Sequence, residues 1–233
     1  MAVRFTRIYL LAFILILLSG HPMQALAEAV SYIHWQDLPE GKVKTEFAET
    51  GSKLINHLNL VGMEDGKPVL IGGGGFTQAN LNWLIKEMGV RTIVDLRGKF
   101  SDDKTNQIIA LSPTTLNEYK QKHQLNDLKN LSPDQVKQYV EKLRDTEHIP
   151  VQYVHMRAED PHLMAILNHA DSQQPVAMFC QWGVNRSGTA WAAYAAQKGW
   201  PLDKALKTFG FPKAGGGYIN QRDIEYGYHL RQQ

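Results

Sequence analysis

The sequence has 233 residues and a mass of 26.3 kDa, which suits one ordinary domain with a short additional segment. Hydrophobic residues make up 43% and charged residues 21%, so the composition excludes wholesale disorder and collagen-like or coiled-coil structure. The net charge of +2 argues against a nucleic-acid binder that works by bulk electrostatics. A single cysteine excludes an intramolecular disulfide framework and a cysteine-rich zinc site.

The first 27 residues have the pattern of a secretory signal peptide. Two arginines precede an apolar run from Ile8 to Leu18, and the small residues Ala25 and Ala27 form a cleavage site before Glu28. The apolar run is too short to span a bilayer, which takes about 20 residues. We therefore expect export to the periplasm or the medium, with no stable membrane span after cleavage. Residues 28–67 are then an N-terminal segment.

Strand and helix patterns alternate along the rest of the chain. Short apolar runs predict buried strands at Val69–Ile71, Thr92–Leu96, Val151–Met156 and Val176–Phe179. Apolar periodicity and end signals predict helices over about Thr45–Leu58, Gln78–Met88, Pro161–Ala170, Ser187–Lys198, Leu202–Phe209 and Asn220–Leu230. This alternation predicts an α/β domain over residues 68–233, with a central sheet flanked by helices on both faces. We interpret the polar block at about 99–147 as a helical insert.

Two other patterns do not indicate a phosphate-binding loop or a metal site. The run Gly72–Gly75 lies between a strand and a helix, where a phosphate-binding loop would lie. Thr77 occupies the third glycine position of a dinucleotide loop, and no Gly-Lys-Ser/Thr sequence follows, so we interpret the run as a flexible turn. The nine histidines lack metal-ligand spacing, and we predict no metal site.

The cysteine is followed by the most informative stretch of the chain. Cys180 ends a predicted strand, and that edge of an open α/β sheet is where ligands bind. Arg186 and Ser187 begin the next helix, after the loop residues Gln181, Trp182, Gly183, Val184 and Asn185. Amides of the loop and of the helix N-terminus form a concave site for an oxyanion and stabilise a thiolate. Arg186 can donate two parallel hydrogen bonds to phosphate oxygens.

Cys180, five residues, Arg186 and Ser187 reproduce the C-x5-R-[S/T] signature of cysteine-based protein tyrosine phosphatases. The surrounding sequence resembles the compact dual-specificity-like branch, especially its bacterial members, from Val69 to Gln233 outside the block at 99–147. The resemblance implies that Cys180 attacks phosphorus, that Arg186 and the amides of residues 181–186 bind the phosphoryl group, and that Ser187 stabilises the thiolate. It implies no metal or organic cofactor. Phe179 stands where most members have a histidine.

The resemblance also implies an aspartate that protonates the leaving oxygen. The segment after the predicted strand Val151–Met156 contains Glu159 and Asp160. We choose Asp160 as this general acid, with Glu159 as the alternative. Asp160 before Pro161 is equally well explained as a helix N-cap. Asp102 and Asp103 are weaker candidates, and we expect Asp95 and Arg97 to form structural contacts at a strand end.

The predicted function is phosphomonoester hydrolysis through a phosphocysteine, with a phosphorylated protein or a small phosphate ester as the partner. The substitution at Phe179 keeps open a non-catalytic protein that binds phosphorylated ligands. Exported relatives include inositol phosphate phosphatases, which leaves that substrate class open even though the loop contains no lysine. A rhodanese-like sulfurtransferase fits less well, because its loop usually has four residues between cysteine and arginine.

Overall fold

The computed structural model describes residues 32–33, 35–98, 121, 128–213 and 215–230. The predicted signal peptide, Asp102, Asp103 and much of the predicted insert lie outside these residues. Within the described ranges, no helix is long and apolar enough to cross a membrane.

The centre of the fold is a six-stranded sheet. Its strands are β1 (Tyr32–Ile33), β2 (Asn56–Val61), β5 (Leu70–Gly74), β6 (Thr92–Asp95), β7 (Gln152–His155) and β8 (Val176–Cys180). The spatial order is β1-β2-β5-β8-β6-β7, in which β5, β8, β6 and β7 are parallel and β2 is antiparallel to β1 and β5. Two further strands, β3 (Met63–Glu64) and β4 (Lys67–Pro68), form a separate hairpin.

Eight helices accompany the sheet in the described residues. They are α1 (Lys42–Glu46), α2 (Ser52–Leu54), α3 (Gln78–Asn82), α4 (Pro133–Glu147), α5 (Pro161–Asn168), α6 (Asn185–Gln197), α7 (Leu202–Phe209) and α8 (Gln221–His229). A π-helical turn joins α1 to α2 over Phe47–Gly51, and another extends α3 over Trp83–Glu87.

Alternate residues of the central strands enter two different cores. In β8, Met178 and Cys180 belong to one core, which also contains apolar residues of α5 to α8. Ala177 and Phe179 belong to the other, which contains residues of α3 and α4 and of the segment before β2. Period-two alternation therefore buries both faces of the sheet, and helices cover each face. The predicted fold class is confirmed.

Two local predictions are wrong. The helix predicted over Thr45–Leu58 ends at Leu54, because Ile55 adopts an extended conformation and the next six residues form β2. There, pairing with β5 overrides the apolar periodicity that favoured a longer helix. The run Gly72–Gly75 is not a free turn, since its first three glycines form the end of β5.

The last part of the polar block 99–147 is the helix α4. Ser132 and Gln135 form a reciprocal capping box at its start, as the sequence Ser-Pro-Asp-Gln suggests. Val136, Val140 and Leu143 of this helix are buried in the second core. This segment thus packs against the sheet.

Candidate active site

The cysteine loop begins at the carboxyl end of β8. Cys180 is buried, with 3% of its surface exposed, and its Sγ accepts a hydrogen bond from the backbone amide of Gly183 at 3.2 Å. The loop ends where α6 begins at Asn185, so Arg186 and Ser187 lie in the first turn of that helix. A sulfur that already accepts an amide hydrogen bond at a helix N-terminus lies where a negative charge is stabilised.

The end of strand β5 lies directly against this loop. A Cβ atom on Gly74 would lie 2.1 Å from the carbonyl carbon of Trp182 and 2.4 Å from the amide nitrogen of Gly183. Gly183 has a φ of 75°, and a Cβ there would lie 2.7 Å from backbone atoms of Gly73 and Gly74. The Gly75 amide also donates to the Cys180 carbonyl at 3.0 Å. Two backbones without side chains meet here, and this contact fixes the path of the loop.

A buried asparagine on the far side also holds the loop. Asn220, which precedes α8, donates from Nδ2 to the carbonyls of Val184 at 3.1 Å and Phe209 at 3.0 Å. Its Oδ1 accepts from the Phe211 amide at 3.0 Å. Three hydrogen bonds of one buried side chain thus connect the loop to the segment that follows α7.

An acidic side chain also contacts the start of α6. Asn185 donates from Nδ2 to Oδ2 of Asp223 at 2.5 Å, and only 6% of the surface of Asp223 is exposed. Burial raises the pKa of this carboxyl above its usual value, while the hydrogen bond from Asn185 and the charge of Arg186 oppose that rise. Sequence reasoning missed Asn220 and Asp223. Asn220 and Asp223 are three residues apart and lie beside the apolar residue Ile224. This helical spacing is the sequence signal that both side chains face the interior.

Arg186 has an unused donor. Its Nε atom is buried and has no hydrogen-bond partner among the described residues. Because a buried unpaired donor costs about 1–3 kcal/mol, it is expected to bind an acceptor supplied from outside. Ser187 is also buried, and its Oγ donates to the Gly73 carbonyl at 3.3 Å, toward the glycine strand.

Phe179, which directly precedes Cys180, makes an aromatic contact in the core. Its ring is fully buried and packs edge-on against Phe76, with the centroids 5.8 Å apart. The guanidinium of Arg97 lies over the same Phe76 ring at 4.3 Å. Arg97 also forms an ion pair with the buried Asp95 at 2.7 Å, and the Tyr153 hydroxyl donates to Asp95 at 2.9 Å. As expected, Asp95 and Arg97 form structural contacts.

The two general-acid candidates have different partners. Asp160 is the N-cap of α5, where Oδ1 accepts from the His162 amide at 2.9 Å and lies 3.0 Å from Nδ1 of that ring. The backbone hydrogen bond from His162 is the main reason that the pKa of Asp160 lies below its usual value. Glu159 accepts a hydrogen bond from the Tyr226 hydroxyl of α8 at 3.0 Å. The Asp160 side chain is 32% exposed and that of Glu159 is 11% exposed.

Two cavities lie at opposite edges of the sheet. A cavity of about 570 Å³ borders the segments that precede β5, β6 and β8, and is therefore far from the cysteine loop. A cleft of about 500 Å³ borders Asn185 and the segment before α8, at the carboxyl edge. A smaller cavity of about 210 Å³ is lined by Gly183 of the cysteine loop and by Gly188 and Trp191 of α6. No group of three or more potential metal ligands occurs in the described parts of the chain.

Comparison with known proteins supplies a separate line of observation. Residues 51–160 match a protein-family model described as a DSP-PTPase phosphatase fused to NAD+ kinase. The match covers just under half of the chain and ends before the cysteine loop. The family match and the cysteine loop thus lie in different segments of the chain. No curated protein matches the sequence significantly.

Several solved structures are distantly similar. TpbA of P. aeruginosa is 19% identical, with 76% of this chain and 89% of that chain covered and a TM-score of 0.41. The catalytic core of the PP-IP phosphatase of S. cerevisiae is 16% identical, with 67% and 78% covered and a TM-score of 0.36. The phosphatase-like phytase of Mitsuokella multacida is 16% identical, with 70% and 38% covered and a TM-score of 0.39. A TpbA variant has been solved with phosphotyrosine.

The contact between Gly74 and the loop leads to a first prediction. We expect Gly74→Ala to displace the loop, because its Cβ would overlap backbone atoms that cannot rotate away. The free energy of unfolding should fall by about 1–3 kcal/mol, the usual cost of overpacking. Binding of orthovanadate, measured by calorimetry, should weaken at least tenfold.

Gly89→Ala is the matched control, because a Cβ there meets nothing within 4 Å although φ is 72°. It should lose about 1–2 kcal/mol to backbone strain and bind vanadate as the wild type does. Equal vanadate binding by Gly74→Ala and the wild type would contradict the assigned role of this contact.

Proposed function

We propose that this chain is a member of the cysteine-based protein tyrosine phosphatase superfamily and hydrolyses phosphate monoesters through a phosphocysteine intermediate. The observation that carries the proposal is the pairing of Cys180 Sγ, held by the Gly183 amide, with the buried and unpartnered Nε of Arg186. One group is a nucleophile and the other is a donor for a phosphoryl oxygen. They lie at opposite ends of the same loop.

In the first step the Cys180 thiolate attacks phosphorus. A sulfur–phosphorus bond forms, the bond from phosphorus to the ester oxygen breaks, and a carboxylic acid protonates the departing oxygen. Arg186 and the amides of residues 181–186 bind the equatorial oxygens, over which the charge of the transition state is spread. In the second step water attacks phosphorus, the same carboxylate accepts its proton, and the thiolate leaves with inorganic phosphate released.

The position before the cysteine bears on how well this chemistry proceeds. The side chain of Phe179 cannot form a hydrogen bond with the loop. The loop is therefore supported by the Gly74 contact and by Asn220. A protein that binds phosphate groups without turnover is the alternative that this substitution favours. The signal-peptide pattern leads us to propose that the protein acts after export, which N-terminal sequencing of the mature protein would test.

The second prediction concerns the nucleophile. The wild type should hydrolyse para-nitrophenyl phosphate in reducing buffer, and orthovanadate should block turnover because it mimics the five-coordinate phosphorus. Cys180→Ser should lose at least a thousandfold in kcat, since a serine hydroxyl at this position is not ionised.

Thermal unfolding of Cys180→Ser should match that of the wild type, because the two side chains have nearly equal volumes. Undiminished turnover by this variant would refute cysteine chemistry. Vanadate binding without turnover in the wild type would favour the non-catalytic alternative.

The third prediction assigns the proton donor between Asp160 and Glu159. A general acid must be protonated, so the rate falls as pH rises through its pKa, and removal of the acid abolishes that fall. Because the pKa of Asp160 is lowered, a donor at Asp160 would place this fall at acidic pH, below the usual aspartate range. We expect Asp160→Asn to lower kcat for phenyl phosphate about 10²–10⁴-fold and to remove this limb.

The two isosteric variants provide each other's control. Asparagine is as good an N-cap as aspartate, so Asp160→Asn should retain α5 and the stability of the protein. Glu159→Gln keeps an acceptor for Tyr226. If the limb persists in Asp160→Asn and disappears in Glu159→Gln, the assignment to Asp160 is wrong and Glu159 is the donor.

A further inference from the structure

The N-terminal end of α8 anchors the two residues that directly precede Arg186. The carbonyl of Val184 accepts a hydrogen bond from Nδ2 of Asn220 at 3.1 Å, and Nδ2 of Asn185 donates to Oδ2 of Asp223 at 2.5 Å. Asn220 is fully buried and Asp223 is 6% exposed, so water competes little for these hydrogen bonds. The first turn of α6, which carries Arg186, is therefore held through two consecutive residues.

Helices α6 and α8 pack with their backbones in close contact. A Cβ atom on Gly227 of α8 would lie 2.1 Å from the carbonyl oxygen of Thr189 of α6. A Cβ atom on Gly188 of α6 would lie 2.9 Å from Nδ2 of Asn220. Because a close-packed interface leaves little room for either helix to shift, the position of α8 determines the position of the first turn of α6.

The buried carboxylate of Asp223 bonds to a neutral amide although a cation lies nearby. Burial raises the pKa of this carboxyl, while the hydrogen bond from Asn185 and the charge of Arg186 oppose the rise, so the guanidinium is close enough to interact with the acid. Nε of Arg186 nevertheless has no hydrogen-bond partner among the described residues. The acid therefore bonds to Asn185 and leaves this donor available for an oxygen of the phosphoryl group.

We propose that Asp223 is a positioning residue for Arg186, which it holds through Asn185 in the orientation that binds the phosphoryl group. The inference rests on the proposed function, since it takes the cysteine loop to be the phosphate site. The negative charge of Asp223 would by itself repel an anion in the loop. A positioning role and a purely electrostatic role therefore predict opposite effects on anion binding when the carboxylate is removed.

The test measures binding of tungstate, a tetrahedral dianion like phosphate, to Cys180→Ser by calorimetry. In this background, Asp223→Ala should weaken tungstate binding about tenfold although it removes a negative charge, because Asn185 loses its anchor. Asp223→Asn retains an acceptor oxygen for Asn185 and lacks the charge, so it should bind tungstate at least as tightly as Cys180→Ser alone. A loss in Asp223→Asn as large as that in Asp223→Ala would overturn the proposal.

A second variant approaches the same hydrogen bond from its other partner. Asn185→Ala should weaken tungstate binding about as much as Asp223→Ala, and the double variant should bind no more weakly than either single variant. Additive losses would show that Asp223 does not act through Asn185 and would overturn the proposal. Thermal unfolding establishes that each variant is folded, and Asn185→Ala provides the test if Asp223→Ala does not fold.

Glu225→Ala is the matched control, because Glu225 is an acid on the same helix that accepts a hydrogen bond from Nε2 of Gln221 at 2.8 Å instead of from the loop. It should leave the tungstate affinity of Cys180→Ser unchanged. A loss as large as that in Asp223→Ala would assign the effect to α8 as a whole and overturn the specific role of Asp223.

The same measurements separate failure of this proposal from failure of the proposed function. Tungstate binding to Cys180→Ser that is lost in Arg186→Ala places the anion in the cysteine loop. If Asp223→Ala then binds tungstate as tightly as Cys180→Ser or more tightly, the positioning role is overturned while the proposed hydrolysis stands. If Cys180→Ser binds no tungstate, the loop is not a phosphate site and both proposals are overturned.

Discussion

The candidate site depends on one backbone contact, the approach of the end of β5 to the cysteine loop. Gly74 lies against Trp182 and Gly183 so closely that a single methyl group on either glycine would occupy backbone space. Gly183, whose amide donates to Cys180 Sγ, has no side chain with which to anchor this part of the loop, so the neighbouring strand supplies the constraint. The parallel pairing of β5 with β8 places Gly74 opposite Cys180. The rigid sheet thereby determines the shape of the loop.

Helix α8 provides the second constraint, and it acts from the opposite side. Asn220 holds the carbonyl of Val184, while Asp223 holds the side chain of Asn185. The same helix reaches Glu159 through the Tyr226 hydroxyl. One element near the C-terminus thus contacts both the cysteine loop and the segment that carries the proton-donor candidates. Their relative placement depends on how α8 packs against α6.

The strand, loop and helix around Cys180 could be predicted from the sequence, but the contacts that support the loop could not. Cys180, Arg186 and Ser187 are close in sequence, and the strand before them and the helix after them are locally encoded. Gly72–Gly75 contacts the loop across more than 100 residues, and nothing local distinguishes a turn from a strand that must approach another backbone. The helix predicted through Leu58 failed for a related reason, because β2 forms by pairing with β1 and β5, which lie elsewhere in the sequence. Asn220 is likewise a long-range partner, recognisable in sequence only as a polar residue before an amphipathic helix.

Phe179 connects these constraints to the charge of the site. In β8, Cys180 faces one core and Phe179 the other, so the residue before the nucleophile packs in a layer that contains Phe76 and, through it, Arg97. Because Phe179 is apolar, it contributes packing beside the loop but no charge. Positive charge at this edge therefore comes from Arg186 and from the α6 N-terminus. A site built this way separates the groups that fix the loop from the groups that attract an anion.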